Sequence, residues 1–236
     1  MGRGKPKREK PIEYPPMTPE TFWGLISNAA NCCGNNQDAF RKHLRLRLSI
    51  RPPEHVLDFD RFLRAYMGLA DRYGLRCAAF ILCRGCMDGS FAGFRAWLIS
   101  KGRRTYMTAL EDPDTLADVW LNPEYGASFG SLRTLTSDVY EERTGENLYR
   151  KLDRDLILVQ MEELRPSVPY GEGIDYPYKW SEIKLYLPKL CAKYVPPEEL
   201  ARQVAIGDDP WDLSDPSVAA ARKEKRHPRV EGGMTT

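Results

Sequence analysis

Between Pro53 and Gly74, the apolar residues Val56, Phe59, Phe62, Leu63, Tyr66, Leu69, Ala70 and Tyr73 recur mostly at steps of three and four. That spacing is one face of an α-helix, and a strand with its period of two cannot gather it on one side. Pro52 and Pro53 fix where the helix begins, and Gly74 is where it is expected to stop. A helix so apolar along one stripe has to be covered by other elements, and its neighbours in the chain carry the same signature.

MTPETFWGLISNAA opens with Thr18 as N-cap, Pro19 at the first helical position and Glu20 at the positive end of the dipole. Phe22, Leu25, Ile26, Ala29 and Ala30 then form a stripe, and CCGNNQ breaks it. QDAFRKHLRLRL follows, with Phe40, Leu44 and Leu48 on one side and basic residues opposite. LRCAAFILC is apolar all round and fits a buried helix or a short buried strand. In DGSFAGFRAWLIS, Asp88 stands where an N-cap belongs, Phe91, Phe94 and Leu98 form the stripe, and Gly102 supplies the stop.

RTYMTALED reads as a short helix, and DPDTLADVW as another, capped by Asp112 with Pro113 in its first turn. LNPEYGASFGS is a loop. LRTLTSDVYEERTG and NLYRKLDRDLILVQ read as helices, although the LILV end of the second suits a strand as well. PSVPYGEGIDYPY is a surface loop, and SEIKLYLPKLCAKY a broken helix leading to Pro196. The sequence therefore predicts a mainly α protein: one helical domain over residues 17–205, a flexible basic arm over 1–16 and a flexible tail over 206–236.

Charge separates the ends from the middle. Lys and Arg number 35 against 33 Asp and Glu, a net charge of +2. MGRGKPKREK nevertheless holds five basic residues and one acid, and RKEKRHPR near the end is similar. Such an arm can contact phosphates in a salt-sensitive way, but the balanced total favours a solubilising role over nucleic-acid binding. No apolar run follows the N-terminal charges, and no window reaches the roughly 20 apolar residues of a membrane span. A cytoplasmic protein with no membrane partner is expected, its six cysteines reduced.

Several common chemistries fail on their own requirements. GASFG satisfies G-x-S-x-G around Ser128, but that motif needs a strand before it and a usable histidine after it. LNPEY is a poor strand, and His227 lies in the expected tail. CRGC, residues 83–86, has no second ligand pair for zinc; Cys77 and Cys83 read as small core residues. Cys86, just before a predicted helix N-terminus, is a candidate reactive thiol. His43, His55 and His227 share no ligand spacing, so no metal site is expected. Without a glycine-rich phosphate cradle, no cofactor is expected either.

GCMDGSFAGFRAWLISKGRRTY, followed by ALEDPDTLAD, resembles the central motif of a bacterial family, Domain of Unknown Function 4240, with its G-C-x-D-D-x-F, F-R-x-W-L-I and D-P-D-x-L-A run. MTPETFWGLI resembles the family's opening helix through Phe22 and Trp23. The resemblance extends over roughly residues 17–195 and implies a mostly helical domain, with no activity attached. Gly89 replaces the second acid of the family's pattern, which weakens any two-carboxylate site.

Asp88 and Arg95 are seven residues apart, two turns on roughly one helix face. Arg95 suits an acid from another helix, or a ligand carboxylate or phosphate, and Trp97 is placed to cover it. The leading expectation is a non-enzymatic interaction or regulatory module, binding a partner protein or small ligand near Asp88, Arg95 and Trp97. An enzyme using Asp88 and Cys86 in a helical cleft is the alternative, and a nucleic-acid accessory protein acting through the basic ends is the third.

Overall fold

In the computed structural model, residues 14–83, 88–171, 173 and 180–198 are described. They contain helices and no β-strand; one isolated bridge joins Asn122 and Gly126. None of these helices is long and apolar enough to cross a membrane. The chain divides into two compact units, residues 1–173 and 174–236.

In the first unit, α1 (Pro19–Cys33) begins as its sequence requires: the Thr18 side chain accepts from the Thr21 amide at 3.2 Å. It ends at Gly34, whose φ of 57° suits glycine. α2 (Gln37–Ser49) is capped by Asn36, whose side-chain oxygen accepts from Ala39 N at 2.9 Å. The basic side of α2 faces an acidic helix: Arg41 pairs with Asp138 and Arg45 with Glu142, both on α7 (Leu135–Thr144).

The helix read from its apolar stripe is α3 (Pro53–Leu69). It stops four residues short of Tyr73, which instead opens α4 (Tyr73–Leu82) and is exposed. The physical reason lies in the carbonyls of its last turn, which donors from other segments help to complete. Tyr66 O accepts from Ala70 N and from the Tyr106 hydroxyl at 2.6 Å. Met67 O accepts from Arg95 at 3.0 Å, and Leu69 O from the Tyr170 hydroxyl at 3.1 Å. With those bonds made by other segments, the chain is free to turn at Asp71 and Arg72. LRCAAFILC, open between helix and strand in the sequence, is the helix α4.

α5 (Asp88–Ser100) lies at the centre, packed against α1, α3, α4, α6 (Arg103–Glu111) and the 3-10 turn Gly130–Arg133. Its residues from Phe91 to Ser100 are buried, Arg95 excepted, as expected of a helix apolar on nearly every side. Gly102, at φ 89°, turns the chain into α6. Phe22, Trp23, Tyr66 and Tyr106 form an aromatic cluster over α1, α3 and α6, with centroids 4.7 to 5.5 Å apart among the ring pairs in contact.

DPDTLADVW forms the 3-10 helix Pro113–Asp118 instead of an α-helix. Asp112 caps it as expected, accepting from Asp114 N at 3.0 Å. The LILV segment is helical, within α8 (Arg154–Leu164), and it leaves Leu156, Leu158 and Val159 exposed.

In the second unit, α9 (Trp180–Tyr186) and α10 (Pro188–Tyr194) are the two halves of the broken helix. Leu187 joins them: its amide donates to Ile183 O at 2.7 Å and its carbonyl accepts from Cys191 N at 3.0 Å.

Candidate functional site

Helical spacing places Asp88, Phe91 and Arg95 on one face of α5. The turn between α3 and α4 brings Asp71 to that face, and the first turn of α4 brings Arg76. The result is an alternating chain of four charges. Asp88 Oδ1 accepts from Arg76 Nη1 at 2.8 Å. Arg76 Nη2 lies 3.5 Å from Asp71 Oδ1, and Asp71 Oδ2 lies 3.0 Å from Arg95 Nη1. Asp71 therefore bridges two guanidiniums with its two oxygens. Both guanidiniums also lie over the Phe91 ring, at 4.4 Å for Arg76 and 4.7 Å for Arg95. This is a cation–π arrangement on a fully buried phenyl group.

Burial differs sharply along this chain. The Asp88 side chain is 94% exposed and that of Arg95 only 15%. The Asp88 carboxylate is engaged by Arg76. Arg95 Nη1 serves both Asp71 and the Met67 carbonyl, yet its Nε is buried without a hydrogen-bond partner. Burial holds the Arg95 guanidinium below its ordinary pKa; Asp71 opposes that, and repulsion from Arg76 and Arg133 adds to it. A guanidinium stays protonated regardless, so Arg76 and Arg95 both keep their charge beside Asp71 and Asp88.

Trp97 lies elsewhere. Two residues beyond Arg95 it has turned about 200° around the helix, is 1% exposed, and meets Phe94 at 5.6 Å and the Lys101 ammonium at 5.3 Å. The structure thus brings Asp88 and Arg95 to one corner and sets Trp97 behind them. Cys86 lies outside the described residues, as do residues 1–13 of the arm and the far tail; Tyr14 at the end of the arm packs against His55 and lies under the Arg51 guanidinium. Sequence reasoning missed Asp71 and Arg76. Asp71 fell inside what read as a longer helix, and nothing local marks Arg76 as its partner.

Ser128 lies in irregular chain after a turn, with no strand before it. Its loop serves α5 instead: Phe129 N donates to Gly93 O at 3.0 Å, and a Cβ at Gly93 would stand 2.5 Å from Ser128 Oγ. Cys83 Sγ donates to Ala127 O in the same loop at 3.7 Å. No group of three or more His, Cys, Asp or Glu among the described residues could hold a metal ion.

The model of one family, described as a protein of unknown function (DUF4240), matches residues 17–142. The chain belongs to the DUF4240 family. No curated protein and no solved structure matches it. The DUF4240 match runs from the residue before the α1 cap into α7 and takes in every member of the corner: Asp71, Arg76, Asp88, Phe91 and Arg95. Gly89 is exposed with open space where a Cβ would project. A second acid there would face solvent beside Asp88.

Proposed function

We propose that this DUF4240 protein is a binding module whose α4–α5 corner takes an oxyanion, the carboxylate or phosphate of a small ligand or partner. One observation carries the reading: Arg76 and Arg95 share a single bridging carboxylate over one aromatic ring. Paired guanidiniums are suited to bidentate recognition of carboxylate and phosphate. Asp88 acts as a displaceable stand-in. Its carboxylate occupies Arg76 from a nearly fully exposed position, where an ion pair contributes little, so a better anion can take its place. Trp97 supports this by holding α5, and hence Arg95, in the core.

Titration with inorganic phosphate, against chloride at matched ionic strength, tests this through the thermal midpoint. A ligand that binds only the folded state raises the midpoint with its concentration. The parent is expected to show a saturable rise, Arg76→Gln to lose it, and Asp88→Asn to reach it at lower phosphate. An equal rise in the parent and Arg76→Gln would reduce the effect to general salting and overturn the proposal.

A further inference from the structure

A second recess lies away from this corner, between the α1–α2 turn and the loop after the 3-10 helix Pro113–Asp118. It encloses about 470 Å³ and is lined by Asn35, Asn36, Asp38, Trp120, Asn122, Glu124 and Tyr125. The volume lies within the usual range of small-molecule sites.

Trp120 and Tyr125 line it while 51% and 39% exposed, unlike Trp23 and Trp97, which the core covers. The amide oxygens are already committed. Asn36 Oδ1 caps α2, Asn122 Oδ1 accepts from Glu124 N and Tyr125 N, and Asn35 Oδ1 accepts from Lys101 Nζ at 3.0 Å. What remains in the lining is the partly exposed rings of Trp120 and Tyr125, the amide donors of Asn35 and Asn36, and the carboxylates of Asp38 and Glu124. Neither Asp38 nor Glu124 is in an ion pair among the described residues, and no Lys or Arg lines the recess. The Tyr125 phenol is raised, chiefly by the neighbouring Glu124 carboxylate, with a smaller contribution from Asp38.

From the pairing of exposed aromatic faces with uncompensated carboxylates in one recess, we infer that this is a binding site for an alkylated ammonium group. An ammonium bearing methyl groups has few or no donors to satisfy and presents a diffuse positive surface. Aromatic faces attract such a group and nearby carboxylates add to the attraction. A simple metal ion or a saccharide makes poorer use of the same lining, since the amide oxygens either would need are engaged.

The test follows the Trp120 indole and Tyr125 amide signals by NMR during titration of the full chain. The probes are choline, its neutral isostere 3,3-dimethylbutan-1-ol, and a short peptide carrying trimethyl-lysine, at constant ionic strength. Saturable shifts with choline or the peptide, at least about tenfold weaker with the isostere, are expected. The tighter of the two cations identifies the source as a free molecule or a modified side chain. The double substitution D38N/E124Q keeps the shape, removes the charge and is expected to weaken cation binding by about tenfold or more. Equal response to cation and isostere, no saturable response, or unchanged binding in the double variant would overturn the assignment.

Discussion

The hydroxyl of Thr136 on α7 donates to Asp60 Oδ1 on α3 at 2.6 Å, and both residues are fully buried. The other carboxylate oxygen is held by Arg64, one turn along α3. This is a buried polar tie between two helices packed against each other. Thr136→Val keeps the shape but strands a charged oxygen away from water. It is expected to lower stability by about 1 to 3 kcal/mol, several degrees in the thermal midpoint. Replacing both residues by valine should cost less than the sum of the two single changes. Denaturant melts of the four proteins measure that difference directly.

Asp88 and Arg95 stand at opposite ends of one charge chain, yet they are expected to matter very differently to folding. Asp88→Ala removes a pair made almost entirely in solvent and should cost at most about 1 kcal/mol. Arg95→Met removes the donor to Met67 O and leaves Asp71 half-paired, which should cost about 1 to 3 kcal/mol. Equal melting temperatures for the two variants would contradict the burial difference between them.

Alkaline stability turns on Tyr106. Burial raises its phenol well above the ordinary value, while an unfolded tyrosine ionises near pH 10. Below that pH both states keep the proton and the folded form has its full advantage. As pH rises past about 10 the unfolded chain releases a proton that the folded chain retains, so stability falls. Tyr66 and Tyr170 are raised in the same direction, also chiefly by burial. Tyr106→Phe should cost about 0.5 to 1.5 kcal/mol at neutral pH, since Tyr66 O keeps its bond from Ala70 N. Its loss of stability between about pH 10 and 11 should be shallower than the parent's. Urea midpoints at neutral and alkaline pH test both signs.

Much of this architecture could be read from local chemistry. Thr18 and Pro19 start α1, Gly34 and Gly102 end helices, and the stripe from Val56 to Leu69 is buried as its spacing requires. These features depend on neighbours within one or two turns. The errors came where a distant residue decides the outcome. Helix α3 ends before Gly74 because donors from α5, α6 and residue 170 take its last carbonyls. The corner was half legible: α5 periodicity pairs Asp88 with Arg95, but Asp71 and Arg76 enter through a turn no local pattern announces. Trp97 follows Arg95 by only two residues, and two residues along a helix mean opposite sides, so it packs in the core beside Phe94 instead of covering Arg95. The basic side of α2 is in part docked against Asp138 and Glu142, which lie 97 residues further on.

The last turn of α3 is a junction of remote parts. Its carbonyl partners lie 28, 40 and 101 residues away in the chain, at Arg95, Tyr106 and Tyr170. Local amides complete only part of it, Ala70 N at Tyr66 O and Asp71 N at Gly68 O; Met67 O and Leu69 O are met by later segments. It works as a latch between early and late portions of the polypeptide. Because one of its bolts is the guanidinium that also grips Asp71, any pull on that side chain is transmitted to the helix on which the aromatic interior is assembled.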